Sequence, residues 1–228
     1  MSNTVLIIGE SGTGKSSSIE TLNPAETFII NVLSKPLPFK GANAKYTHVS
    51  NDRLTGNMFL TDDHETIMKA IKFINVKRLD IKNLIIDDFS YLMTNEFMKR
   101  AVERGYDKYS EMAKQAWEII MELNNCRSDL NCFVLAHSET DEFGVARCKT
   151  IGKVLSNKVI LEGMVTCVLH AIVKENVYKF LTQNTGSYLA KSPRGMFEEK
   201  FIDNDLNYVS TCITNYFNDD LTTNGDKQ

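Results

Sequence analysis

Gly9, Glu10, Ser11, Gly12, Thr13, Gly14, Lys15 and Ser16 run G-x-x-x-x-G-K-S, with Ser17 directly after. Glycines at 9, 12 and 14 let successive backbone N–H groups turn inward around an anion, which bulkier residues would obstruct. Lys15 has the reach to touch the β and γ oxygens of a nucleotide, and the Ser16 hydroxyl is placed to ligate Mg2+. A chance glycine-rich turn is the alternative. The apolar run Val5-Leu6-Ile7-Ile8 just before it, and a helix-compatible stretch after it, argue against chance. That context predicts a phosphate-binding loop, with residues 9–17 holding ATP.

A second set of groups lies about seventy residues on. Leu84-Ile85-Ile86 ends in Asp87-Asp88, an apolar strand closing on two carboxylates. Asp87 is expected to hold Mg2+ together with Ser16, directly or through water. An acidic turn of no special role is the plainer reading, and the loop upstream gives the pair its weight. Further along, Asn131-Cys132-Phe133-Val134-Leu135-Ala136 ends in His137-Ser138. The polar segment 139–157 then carries Arg147, Lys149 and Lys153, with Lys158 just beyond. Lys191-Ser192-Pro193-Arg194, taken by itself, is a basic turn.

The elements that must position these groups alternate. Strands are expected at 4–8, 27–32, 84–87 and 131–136, and helices at 15–22, 64–76 and 108–124. Thr61-Asp62-Asp63-His64-Glu65 reads as a helix start, with an N-cap and acid in the first turn. The stripe Tyr109, Met112, Ala113, Ala116, Trp117, Ile120 and Leu123 places Trp117 in the core. Residues 33–57 are long for a connection, and Pro36 and Pro38 exclude a helix there. Residues 164–173 and 177–183 read as a hairpin across Lys174-Glu175-Asn176, with one more short strand at 188–192. A last helix is expected at about 205–217, within a core spanning 1–218, and a polar tail at 219–228. The outcome is an α/β fold: a mostly parallel central sheet, helices on both faces and an antiparallel hairpin edge. Ligands in such sheets bind at the carboxyl ends of the strands, where Ser16, Asp87-Asp88 and His137 all fall.

Bulk properties set the limits. The 228 residues are 43% hydrophobic and 24% charged, enough for a packed core under a polar surface. A net charge of −3 does not mark a general nucleic-acid binder, though a local basic loop could serve. Five scattered cysteines have no zinc spacing and read as reduced thiols of a cytoplasmic protein. No apolar run approaches the ~20 residues that cross a bilayer, so no membrane role is expected. The chain opens on a core strand, from which no leader segment is expected.

The order of these features resembles a RecA-like P-loop ATPase core. The stretches G-Y-D-K-Y-S-E-M-A (105–113) and A-K-S-P-R-G-M-F (190–197) are similar to short single-core ATPases of bacteriophages, some of them Sak-group single-strand-annealing proteins. The resemblance covers residues 3–218. It implies a polar sensor at His137 that couples the γ-phosphate to a DNA-contacting loop, here 139–157 with Arg147, Lys149, Lys153 and Lys158. A second such loop would lie within 92–108, offering Lys99, Arg100 and Arg104. The resemblance also implies that Lys191 and Arg194 reach the ATP of a neighbouring subunit in a homo-oligomeric ring or filament, as trans-acting cations. Two departures accompany it. RecA-like cores take a general base from a glutamate ending the strand beside the first, whereas here that strand reads F-I-I-N-V-L. Asp88 is the expected substitute, with Asp52 or Glu26 as alternatives, and turnover is expected to be slow. With the first core strand opening the sequence, the N-terminal element that links subunits in some recombinases is not expected, and the last helix or another surface would have to serve instead.

The resulting expectation is an ATP-dependent, single-stranded-DNA-binding protein of phage recombination or replication. It would work in the host cytoplasm beside a single-strand-binding protein or replisome partner. A nucleotide-switched helicase loader or other partner-binding ATPase, and a small-molecule kinase, are the alternatives. His48 and His64 read as surface residues and His170 as structural, leaving Mg2+ as the only expected metal.

Overall fold

The structure is a computed structural model that describes residues 2–49, 55–152 and 159–223. Among them the strands are β1 (Asn3–Gly9), β2 (Thr27–Asn31), β3 (Met58–Leu60), β4 (Asn83–Asp87), β5 (Asn131–Thr140), β6 (Ala146–Cys148), β7 (Cys167–Lys174), β8 (Val177–Leu181) and β9 (Phe201–Asp203). They form one sheet in the order β3-β2-β4-β5-β1-β7-β8-β9, with β6 paired to the far end of β5. Pairing is parallel from β3 to β7 and antiparallel at β7–β8, β8–β9 and β5–β6. This is the mixed α/β sheet that the alternating strand and helix signals predict.

Its central strands are buried on both faces, and successive residues supply opposite cores. Leu6, Ile8, Leu84, Ile86 and Val134 face α2 (His64–Lys77), α3 (Ser90–Lys99) and α4 (Asp107–Asn124), which follow the short α1 (Ala42–Lys45). Val5, Ile7, Ile85, Phe133 and Leu135 face the other way, onto Ile19, Tyr46 and α5 (Leu206–Thr223). At about 25 cal/mol per Å2 of apolar surface, each fully buried aliphatic side chain contributes roughly 1.5–3 kcal/mol to this packing. Asp63 caps α2 as expected, its carboxylate accepting from the Thr66 N–H at 2.8 Å. The β7–β8 hairpin turns at Glu175 (φ 53°) and Asn176 (φ 62°), the two left-handed residues that match the twist of the flanking strands.

Several expectations are corrected. The helix predicted at 15–22 is a single 3-10 turn, Ser17–Thr21. Ser18 and Thr21 hydroxyls donate to the carbonyls three residues back, Lys15 and Ser18, at 2.5 and 2.9 Å. Such hydroxyls compete with helical bonding, and Pro24 leaves no room to extend. Trp117 is 41% exposed, not core. The buried line runs through Met112, Ala116, Ile119 and Leu123, and Trp117 stands about 100° round the helix from Ala116. Residues 161–164 form a 3-10 turn, so β7 begins only at Cys167. Instead of a strand at 188–192 there are isolated bridges, Tyr188 to Ala146 and Lys191 to Val168. The long connection 33–57 contains α1 and leads into β3, an unforeseen parallel edge strand. Segment 139–157 begins as an ordered hairpin, because β5 continues beyond His137 and β6 folds back on it. His64 is only 12% exposed, its imidazole 3.4 Å from the Glu118 carboxylate. His170 is buried in β7 as expected. No described helix is long and apolar enough to cross a membrane.

Candidate active site

Four parallel strands converge at the carboxyl edge of the sheet. Gly9 closes β1 beside His137 of β5, and Asp87 closes β4 beside Asn31 of β2. The cleft above them has a volume of about 310 Å3, walled by the 11–17 loop, Lys35, Pro36, Pro38, Asp88, His137 and Tyr178.

The loop takes its shape from its glycines. Gly12 and Gly14 have φ of 81° and 86°, conformations that L side chains rarely adopt. A Cβ on Gly9 would stand 2.7 Å from the Ala171 carbonyl oxygen, so the loop base admits no side chain. A Cβ on Gly14 would meet the Tyr178 ring at 2.9 Å, because that tyrosine of β8 covers the loop. With only one 3-10 turn behind the loop, little helix dipole supports an anion there. The cradle rests on its own N–H groups and on Lys15. Lys15 is buried, and its Nζ donates to the Gly9 and Glu10 carbonyls at 2.7 and 2.8 Å. Burial brings its ammonium down to about 8, against the pull of Asp88 and Asp87. A phosphate arriving in the loop would reverse that cost.

Ser16 and Asp87 meet as their spacing suggests. Ser16 Oγ donates to Asp87 Oδ1 at 2.8 Å, and the Asp88 N–H donates to the same oxygen at 3.0 Å. Asp87 Oδ2 is buried with no hydrogen-bond partner. Burial, reinforced by the neighbouring Asp88, pushes the Asp87 carboxyl up to about 6. A buried acceptor without a donor is costly, and a hydroxyl beside a carboxylate is a donor set that suits Mg2+. Among the described residues no cluster of three or more His, Cys, Asp or Glu could hold a metal by itself. The remaining ligands would have to be phosphate oxygens and water.

Asp88 is buried, with left-handed backbone at φ 59°. Lys35 Nζ lies 2.6 Å from its Oδ2, and His137 Nε2 lies 3.6 Å from its Oδ1. Burial works to raise this carboxyl, but the contacts from His137 and Lys35 outweigh it and hold it below its ordinary range. His137 stands edge-on to Tyr91 at 5.4 Å, its N–H donates to Ser90 Oγ, and its carbonyl accepts from the Lys149 N–H at 2.7 Å. The histidine therefore bridges the cleft and the base of the β5–β6 hairpin.

The other sequence candidates lie apart. Lys191 pairs through its backbone with Val168, level with Leu6 and three residues short of the loop. Arg194 is exposed, and its carbonyl accepts from the Tyr216 hydroxyl. Neither lines the cleft of its own chain. Arg147 is ion-paired to Asp141 at 2.7 Å across the hairpin. Lys99 pairs with Asp62 at 2.9 Å, and Arg100 with Glu103 and Glu111 at 2.6 Å each. Lys153, Lys158 and Asp52 fall outside the described residues. The strand beside β1 is not β2, as supposed, but β5 on one side and β7 on the other. β2 ends in Asn31 next to Asp87, and Glu26 precedes it at the opposite edge of the sheet. Sequence reasoning missed Lys35 and Tyr178. The prolines of Lys35-Pro36-Leu37-Pro38 excluded a helix there but did not point to the cleft, and Tyr178 gave no local signal.

A parallel sheet carrying a glycine loop, a lysine and a paired Ser–Asp at its carboxyl edge defines a P-loop nucleoside triphosphatase with a RecA-like core. The family described as an AAA domain matches residues 1–194. The chain belongs to that family of ATP-hydrolysing P-loop proteins and has its general nucleotide-binding character. No curated protein matches the chain.

Proposed function

We propose that the protein is a Mg2+-dependent ATPase whose nucleotide state is passed to the β5–β6 hairpin. The observation that carries this is the Ser16–Asp87 pair at 2.8 Å beside the glycine loop, with the second Asp87 oxygen buried and unpartnered. Residues 9–17 would hold the phosphates through N–H groups and Lys15. What bound Mg2+ supplies is neutralisation of charge on the phosphate oxygens. Hydrolysis forms a bond from the water oxygen to the terminal phosphorus and breaks the bond to the bridging oxygen, which leaves with its electron pair on ADP. Asp88 would accept the water proton, with His137 orienting it. Lys191 and Arg194, remote from their own cleft, would serve the ATP of a neighbouring subunit in a homo-oligomer.

The hairpin ligand in this reading is single-stranded DNA, in a phage recombination or replication protein like the Sak-group annealing proteins. Support comes from the hydrogen bond linking His137 to Lys149, which ties the cleft to the segment holding Arg147, Lys149, Lys153 and Lys158. A partner protein is the second reading. It is favoured by Phe143, 82% exposed at the hairpin tip directly after Asp141 and Glu142, and by the Arg147–Asp141 pair. Anisotropy of a labelled oligonucleotide at low salt separates them. With Mg2+ and a non-hydrolysable ATP analogue, DNA binding tighter than with ADP, and weakened by Arg147→Ala, is expected. No DNA affinity in either nucleotide state refutes the DNA reading and leaves the protein partner.

A further inference from the structure

Lys35 has no part in the reading above, yet it is held in the cleft by more than its ion pair. β2 ends at Asn31, fully buried, whose Nδ2 donates to the Lys35 carbonyl at 2.7 Å. Ser34, in the left-handed region at φ 56°, makes the turn between them. On the other side Pro36 and Pro38 restrict the backbone, and Leu37 between them is buried in the core with Ile19 and Tyr46. The backbone at 35 is thus fixed from both directions. Its side chain, 45% exposed, enters the same cleft as Lys15 and Ser16 and ends 2.6 Å from Asp88.

We propose that Lys35 is a second cation of the nucleotide site: it contacts the terminal phosphate of a bound triphosphate and rests on Asp88 when that phosphate is absent. An ordinary surface ion pair is a weaker account, because Asp88 is only 4% exposed and its partner reaches it across the mouth of the cleft. Lys15 acts on Asp88 only at a distance in this arrangement, since its Nζ donates to the Gly9 and Glu10 carbonyls and Lys35 is the lysine in contact with that carboxylate. A triphosphate brings several negative charges within reach of a half-exposed ammonium on a flexible four-carbon stem. Transfer of Lys35 to the terminal phosphate leaves the Asp88 carboxylate with His137 alone, free to take a proton from water. ADP, lacking that phosphate, leaves Lys35 on Asp88. The same lysine therefore senses the third phosphate and uncovers the base only when there is a bond to hydrolyse.

This rests on the nucleotide reading of the cleft, and the test separates the two. Calorimetric titration measures a non-hydrolysable ATP analogue with Mg2+, and ADP, on wild type, Lys35→Ala, Lys35→Arg and Lys15→Ala. Loss of one charge-assisted contact predicts about ten-fold or more weaker analogue binding by Lys35→Ala, with ADP affinity kept within about two-fold. Lys35→Arg should recover most of the analogue affinity, whereas Lys15→Ala should weaken both ligands. Should Lys35→Ala lose analogue and ADP affinity equally, or neither, the Lys35 inference fails and the nucleotide site stands. Wild type that binds neither ligand overturns the nucleotide reading, and this inference with it. Thermal melts show whether each variant is folded, and Lys35→Met provides a stem-preserving replacement if Lys35→Ala is not.

Discussion

Replacing Asp87 by asparagine should make the nucleotide-free protein more stable while removing its response to Mg2+ and ATP. Asp87 is buried, and its carboxyl is displaced from 3.8 to about 6, chiefly by burial and then by Asp88. Between those pH values the folded chain binds the proton more tightly than the unfolded chain. The stability linked to it is fully present below pH 3.8 and is lost as pH rises through about 6. At neutral pH that displacement corresponds to a cost of roughly 3 kcal/mol, at about 1.4 kcal/mol for each tenfold in proton affinity. Asparagine keeps an oxygen to accept from Ser16 Oγ and the Asp88 N–H, and carries no charge to bury. Asp87→Asn should therefore gain about 1–3 kcal/mol at pH 7, raising the melting temperature by roughly 3–10 °C in a chain of this size. The gain should shrink towards pH 4, where wild-type Asp87 is itself neutral. Thermal unfolding followed by circular dichroism, at pH 4 and 7 and with or without Mg2+ and ATP, reads all of this. Wild type should be stabilised by Mg2+ and ATP together, and Asp87→Asn far less. A variant that melts at or below wild type at pH 7, or shifts equally at both pH values, would refute the burial argument. A variant that Mg2+ and ATP stabilise as they do wild type would refute the metal role.

Two further outcomes follow from the loop. Gly14→Ala places a Cβ 2.9 Å from the Tyr178 ring at φ +86°, so about 1–3 kcal/mol of stability should be lost in denaturant melts, with ATP binding weakened. Adding Tyr178→Ala should relieve the steric part and not the backbone part. Burial brings Lys15 down to about 8, so above that pH the free protein must take up a proton as it binds phosphate. Nucleotide affinity should therefore fall as pH rises from 8 to 10, and binding heats at pH 9 should depend on the ionisation enthalpy of the buffer; buffer-independent heats would count against this.

The parts of the site legible in the sequence were those written locally. Gly9–Ser16 lies in one loop, and Leu84-Ile85-Ile86-Asp87 announces a buried strand by its apolar run. The Asp63 cap and the Glu175-Asn176 turn are also local, and both occur where expected. What local pattern could not supply was competition and distance. The hydroxyls of Ser18 and Thr21 turned an expected helix into a 3-10 turn. Trp117 lay within an apolar stripe whose buried centre runs one residue aside, through Ile119. β3, β6 and β9 are three residues each, too short for alternation to register. The meeting of Lys35 with Asp88, and of Tyr178 with Gly14, depends on strand order and hairpin placement, which no sequence window contains.

In the proposed function, the cleft between Gly9–Ser16 and Asp87-Asp88 would hydrolyse ATP and report its state to the β5–β6 hairpin. The decisive measurement is steady-state phosphate release from ATP and Mg2+, with and without single-stranded DNA at low salt, beside Lys15→Ala. Wild type should hydrolyse ATP slowly and several-fold faster with DNA, and Lys15→Ala should show no hydrolysis above background. Phosphate release that survives Lys15→Ala unchanged, or none from wild type under either condition, would contradict this function.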